Sequence, residues 1–200
     1  MISDTGAMDD IVMAAMAKWP QVPHCHGWLA LDARGSWYMR DDRAQAAGPF
    51  PQVKGSRVDH DKLRAFIERN YAADDSGAWY FQNGPQRVYV DLEAAPWVWR
   101  VQEEAGWPLL SHTHLPARLI STWLDEQGRL YALTDLGYGL VHSLDTGLAA
   151  QAVETNASPD QNLAWQPQTL PFAQMPQRFG YRLTPRPAPP SADQGLKARA

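Results

Sequence analysis

Three stretches of this chain share one pattern: Asp32-Ala33-Arg34-Gly35-Ser36-Trp37-Tyr38, Asp74-Asp75-Ser76-Gly77-Ala78-Trp79-Tyr80 and Asp125-Glu126-Gln127-Gly128-Arg129-Leu130-Tyr131. The pattern, D-x-x-G-x-(W/L)-Y, is turn chemistry. An Asp carboxylate accepts hydrogen bonds from the backbone amides just ahead of it, and Gly takes the left-handed conformation that closes the turn. The next residues alternate as in a strand, with Trp or Leu on one face and Tyr on the other. Three such turns commit the chain to antiparallel hairpins. A calcium loop is the competing reading, but it needs more oxygens in alternation and a distal Glu, and neither is present.

Between these turns the remaining elements are read from periodicity. An apolar run, Ile11 to Ala17, follows Asp9 and Asp10 and precedes Pro20, which predicts a capped helix. The first hairpin is Trp28–Leu31 with Ser36–Arg40, and a polar connection leads on to Arg57. Asp59 is expected to cap a second helix whose stripe is Leu63, Phe66, Ile67 and Tyr71. Strands are expected at Ala78–Phe81, Gln86–Leu92 and Trp97–Val101. Pro85 argues against a simple Asn83-Gly84 type I′ turn between the first two. A loop at Glu103–Pro116 precedes the hairpin Leu119–Leu124 with Arg129–Thr134. Gly137 and Gly139 are expected to break the pattern, Asp145–Glu154 to form a short helix, and Gly180–Leu183 to add a last strand. Trp165 and Phe172 are expected to pin the irregular stretch between them. The organisation is thus an N-terminal helix (1–20), an α+β domain (21–183) and a Pro-rich tail (184–200) expected to lack fixed structure. The domain reads as repeated hairpin-plus-helix units in antiparallel sheets, with two or three short helices and two related halves near 21–101 and 102–183.

Composition narrows the function classes. Nine Trp in 200 residues imply that most of this aromatic area is buried. The net charge is −4 and no basic stripe tracks along the chain, which speaks against nucleic acid as a partner. The single cysteine, Cys25, fits a reducing compartment, and no segment has the charge pattern of a signal peptide or the length of a membrane span. We therefore expect a cytoplasmic protein without a membrane partner. No G-x-S-x-G elbow, phosphate-binding glycine loop, dinucleotide fingerprint or H-E-x-x-H helix occurs, so no cofactor is expected.

Two H-x-H pairs, His24/His26 and His112/His114, can each offer two imidazoles to one metal if the backbone is extended. Gly106 ahead of His112-Thr113-His114 resembles the opening of a cupin metal motif, but Ala117, Arg118 and Leu119 occupy the stretch where its glutamate belongs. We read the four as solvent-facing or hydrogen-bonded histidines, with a shared metal as the alternative. Cys25 lies between two histidines that point to the opposite strand face, so it reads as a small hydrophobe rather than a nucleophile. The best stretch for a binding surface is Trp79–Glu93. There Arg87, Tyr89 and Asp91 share one strand face and Gln82 and Asn83 add amide donors, a set suited to an anionic or planar ligand. The competing reading of that face is a solvated strand with a cross-strand charge pair.

The stretch Trp79 to Glu93, with Leu124 to Tyr131 and Leu136 to His142, resembles a bacterial family catalogued as a domain of unknown function. The order of hairpin, helix, hairpin and Ala95-Pro96-Trp97 resembles a second uncharacterised family, one with repeated small α+β motifs. Neither resemblance implies catalytic residues. The leading expectation is a non-catalytic module that binds a small ligand or a protein partner, with a regulatory role. A metal-dependent enzyme built on the histidine pairs is the alternative. A structural homodimer joined through exposed Trp is the third reading.

Overall fold

A computed structural model describes residues 10–19, 22–156 and 163–187. Five α-helices and thirteen strands occur among them, in the order α1 (Asp10–Lys18), β1 (Cys25–Leu31), β2 (Trp37–Met39), α2 (Asp42–Ala47), β3 (Ser56–Arg57), α3 (Asp61–Arg69), β4 (Tyr71–Ala73), β5 (Trp79–Asn83), β6 (Gln86–Leu92), β7 (Trp97–Val101), β8 (Leu109–Ser111), β9 (Pro116–Ala117), β10 (Leu119–Leu124), β11 (Leu130–Thr134), β12 (Gly137–Val141), α4 (Thr146–Thr155), β13 (Gln168–Thr169) and α5 (Met175–Phe179). The fold is α+β. One sheet has the order β3-β2-β1-β6-β5-β4 and the other β13-β10-β11-β12-β7-β8-β9, so β7 belongs to the second sheet. Most pairings are antiparallel; β1–β6, β10–β13 and β7–β12 are parallel.

All three Asp–Gly turns join adjacent antiparallel strands: β1 to β2, β4 to β5 and β10 to β11. Gly35, Gly77 and Gly128 have φ of +76°, +76° and +73°, where a side chain would be strained. In each turn the Asp Oδ1 accepts the amides two and four residues ahead. The donors are Arg34 and Ser36, then Ser76 and Ala78, then Gln127 and Arg129, at 2.8–3.0 Å. The repeat is one hydrogen-bonded structure used three times.

Several local expectations are corrected. Asp59 does not cap α3; it pairs with Arg57 at 3.2 Å, and His60 caps the helix through Nδ1, which accepts from the Leu63 amide at 3.3 Å. Tyr71, placed on that helix by periodicity, opens β4 instead. Gly137 and Gly139 do not break the pattern but lie inside β12, because the rings of Trp97 and Trp99 lie against that strand. A Cβ at Gly139 would collide with Trp99 Nε1 and the Trp97 carbonyl. Those indoles donate to Leu136 O and Ala132 O, each at 3.1 Å, and stack with ring centres 5.7 Å apart. Between β5 and β6 the expectation from Pro85 holds: the two turn residues are Gly84 and Pro85 rather than Asn83 and Gly84, and Gly84 has φ +55°. A Gly in the first position is the mark of a type II′ hairpin. β8 forms inside the expected loop 103–116, and α2 and α5 exceed the expected helix count.

Four of the nine Trp, at 37, 97, 99 and 165, are fully buried in one core that both sheets share. Each such ring removes roughly 150–250 Å² from water, so this cluster dominates the stability of the fold. The expected strand at Gly180–Leu183 is instead an irregular strap. Gly180 closes α5 with φ +67°, and single backbone bonds then tie Arg182 N to Gly77 O (3.0 Å) and Leu92 N to Leu183 O (2.7 Å). Within the expected tail, Pro185 is buried and Arg186 bonds Asp91 at 2.9 Å; residues 188–200 lie outside the described set.

Candidate functional site

A hollow of about 680 Å³ lies where two of the three turns meet. Its volume falls in the range of small-molecule sites. The turn after β1 contributes Ala33 and Arg34, and the turn after β10 contributes Gly128 and Arg129. Leu124, Leu130, Leu140, Val141 and Ala149 form an apolar wall drawn from β10–β12 and α4. Lys54, Glu93, Ser143 and Thr146 complete the rim.

The charges at this rim are ordered by the turns. Asp32 Oδ2 receives Lys54 Nζ at 3.0 Å, and the same ammonium reaches Glu93 Oε2 at 3.1 Å. Glu93 also accepts from the Ala33 amide at 3.2 Å, which ties the first sheet's end to the turn. Burial works against the Lys54 ammonium, but its two carboxylates outweigh it and hold the pKa above the ordinary value. Burial likewise penalises the Asp32 carboxylate, yet the Ser36 amide, Lys54 and the Arg34 amide lower its pKa overall. Across the hollow, Arg129 Nε pairs with Asp125 Oδ2 at 2.6 Å and its guanidinium lies 4.9 Å from the Phe172 ring. Arg34 is exposed and its guanidinium has no partner among the described residues.

Thr146 opens α4 at the same rim. Asp145 precedes it but makes no side-chain cap; Arg100 holds the carboxylate at 2.6 and 3.0 Å, and the Val101 amide adds a bond at 3.1 Å. A 3-10 turn, Ser143–Asp145, runs directly into α4, so the rim meets the start of a continuous helical stretch. An apolar wall facing the unpartnered guanidinium of Arg34 suits a compact ligand with an apolar body and one anionic group.

The residues expected at the site are dispersed. Asp91 is buried between Arg40 (3.6 Å) and Arg186 (2.9 Å), an internal ion pair. Arg87 lies over the Tyr80 ring at 4.5 Å. Gln82 is buried and donates to Gly84 O at 2.8 Å. Asn83 lines an apolar hollow beside Cys25, with Phe66 and Val88. Tyr89 donates to Asp74 Oδ2 at 3.0 Å and lines a different hollow. His24 and His26 lie against Tyr89, with ring centres 6.0 and 4.5 Å away. His112 and His114 line a separate hollow near Arg100. The His112 Nδ1 accepts from Val98 N at 3.3 Å, and burial with His114 beside it pushes the imidazole down to about 3. The two pairs are not brought together, and no group of three or more His, Cys, Asp or Glu side chains placed to hold a metal occurs among the described residues. No described helix is long and apolar enough to cross a membrane.

The rim residues Arg34, Lys54, Glu93, Arg129 and Thr146 escaped the sequence reading. A usable signal existed for two of them, since Arg34 and Arg129 sit inside the repeated turns.

No curated protein matches the chain. Among solved structures it is similar to a DUF1285 family protein from Silicibacter pomeroyi DSS-3, with TM-score 0.44, 11% identity, and coverage of 71% of this chain and 83% of that one. It is also similar to a DUF1285 family protein from Shewanella baltica OS155, with TM-score 0.43, 13% identity, and coverage of 62% and 91%. Residues 8–186 match the model of the family DUF2944, whose description reads "Protein of unknown function (DUF2946)", and the chain belongs to that family.

Proposed function

We propose that this protein is a non-catalytic binding module whose inter-sheet hollow takes one small molecule with an apolar body and an anionic end. The observation that carries this reading is the convergence of two Asp–Gly turns on a hollow of about 680 Å³ with an unpaired Arg34 at its rim. The carboxylates there are committed: Asp32 and Glu93 both bind Lys54, so neither stands free as a general base. Neither His nor Cys lines the hollow. These features support retention of a ligand rather than its conversion, and a binding module of this kind suits a regulatory role.

The test is a thermal-shift panel of aryl and alkyl carboxylates and phosphates. A ligand at 100 times its dissociation constant stabilises by about 2.7 kcal/mol, which a melting curve resolves. Ala150 is exposed and lines the hollow, so Ala150→Trp fills it without entering the core. The shift should vanish in Ala150→Trp and fall sharply in Arg34→Glu. A hit that survives both variants refutes the site, and a panel without hits that stabilise refutes the ligand class.

A further inference from the structure

A second hollow, about 530 Å³, opens between β6 and the strap, and it shares no lining residue with the first. His24 and His26 enter it from the start of β1, Tyr89 from β6, Asp74 from its turn, and Arg182 and Arg186 from the strap. The His26 ring is stacked on Tyr89 at 4.5 Å with 15° between planes, which fixes its orientation.

The acceptors in this hollow are already used. Asp74 Oδ1 takes the Ser76 and Ala78 amides, and Oδ2 takes the Tyr89 hydroxyl. Asp91, behind the rim, holds Arg186 on one oxygen and faces Arg40 with the other. The donors are not used up. Arg182 spends only Nε, on Ser76 O at 3.0 Å, and Arg186 spends only Nη1. His24 Nδ1 accepts the Arg87 amide, while its Nε2 and both nitrogens of His26 have no partner among the described residues. Polar groups left over on several sides of the hollow are thus guanidinium and imidazole nitrogens. Guanidinium forks bind tetrahedral oxyanions through charge-assisted hydrogen bonds.

We propose that this hollow binds a tetrahedral oxyanion, the phosphate or sulfate group of a small molecule, gripped by Arg182 and Arg186 from the strap, by the His24 Nε2–H and by protonated His26 from the start of β1. Asp74 and Asp91 offset two of the four nearby arginines; Arg40 sits on Asp91, and Arg87 lies over the Tyr80 ring with a hydrogen bond to Tyr89. Protonation of His26 therefore adds to an attraction already present and makes it depend on pH. Burial, then Arg186 and His24, lower the His26 pKa against the opposing pull of Asp91. A bound dianion reverses that balance, so binding takes up a proton and tightens as pH falls, by up to about tenfold per pH unit for one proton.

Sulfate keeps both charges across this range, so its pH dependence reports on the protein alone. Titration calorimetry with sodium sulfate, at ionic strength fixed with sodium chloride, is run at about pH 5.5 and about pH 7.5, on either side of the histidine range. Saturable binding about tenfold or more tighter at the lower pH is expected. His26→Phe preserves the stack on Tyr89 and should flatten the pH dependence. Arg182→Gln should weaken binding about tenfold at both pH values. Arg34→Glu, in the other hollow, should leave sulfate binding unchanged, which separates this proposal from the inter-sheet reading. Phenyl phosphate binding tighter than inorganic phosphate assigns an esterified ligand, and equal binding assigns the free anion. Sulfate behaving as chloride at both pH values, or binding unaltered in both His26→Phe and Arg182→Gln, overturns the site.

Discussion

At Asp74 and at Asp125 one carboxylate oxygen takes the amides two and four residues ahead, and the closing glycine has φ of +76° or +73°. Beyond that shared backbone the two turns diverge. A Cβ at Gly77 would collide with the backbone of Gly180 in the strap, whereas nothing lies within 4 Å of one at Gly128. Asp74 gives its second oxygen to Tyr89 on another strand; Asp125 gives its own to Arg129 within the turn, with Tyr131 3.3 Å away. The motif is encoded locally, but its role is assigned by what packs against it. One turn anchors the C-terminal strap, and the other walls the inter-sheet hollow.

The largest expected effect breaks this comparison at the glycines. Gly77→Val adds a collision to the left-handed strain and should cost roughly 3–5 kcal/mol in denaturant unfolding. Gly128→Val carries strain alone and should cost about 1–2 kcal/mol. Equal losses would mean that the strap contact contributes nothing. The second test removes the carboxylates. Asp125→Ala orphans two amides and a buried tyrosine hydroxyl and should cost roughly 2–3 kcal/mol, against about 1–2 kcal/mol for the more exposed Asp74→Ala.

Acid sharpens the comparison further. Burial opposes ionisation of Asp32, Asp74 and Asp125, but the amide and side-chain hydrogen bonds to each prevail and lower all three. Lowered carboxylates stabilise the fold above about pH 4, the unfolded value, and that contribution is lost as pH falls through their folded values. His112, packed under the Asp32 turn with its Cβ 2.7 Å from the position of a Gly35 Cβ, acts in a higher window. Its folded value is about 3, so below about pH 6.5 the unfolded chain binds a proton that the folded chain refuses. Stability should therefore fall by about 1.4 kcal/mol per pH unit from about pH 6 toward pH 3. His112→Phe should remove that slope while leaving the carboxylate loss below about pH 4, and equilibrium unfolding against pH separates the two. The smallest effect is Arg34→Glu, an exposed change expected to alter stability by less than about 0.5 kcal/mol while sharply weakening ligand binding at the hollow.

What the sequence discloses follows the same division between local and distant causes. The Asp–Gly turns, the strands beside them and the stripe of α3 are legible because neighbours within five residues determine them. Gly137 and Gly139 mislead for the opposite reason. They read as breakers, and only the indoles of Trp97 and Trp99, about forty residues earlier, make glycine the residue that fits inside β12. Strands of two or three residues, such as β3, β8 and β13, carry too little alternation to register. The candidate site was least legible. Lys54 meets Asp32 and Glu93 across the first sheet, and Arg34 shares a hollow with α4, placements that no spacing along the chain announces. Asp91, chosen for its strand face, proved to be an internal partner of Arg40 and Arg186 because that face is covered by the strap.

The most direct measurement is an amide NMR titration of the wild-type protein with the best binder of the carboxylate and phosphate panel. The account predicts that the amides of Ala33, Arg34, Gly128 and Arg129 shift together and saturate with one affinity, since both turns line the same hollow. The amides of Ser76 and Gly77, in a turn of identical backbone, should stay in place until the oxyanion hollow is titrated separately with sulfate. Shifts confined to the Asp74 turn, or saturation at Arg34 without Arg129, would contradict the claim that two of the three turns build one binding site.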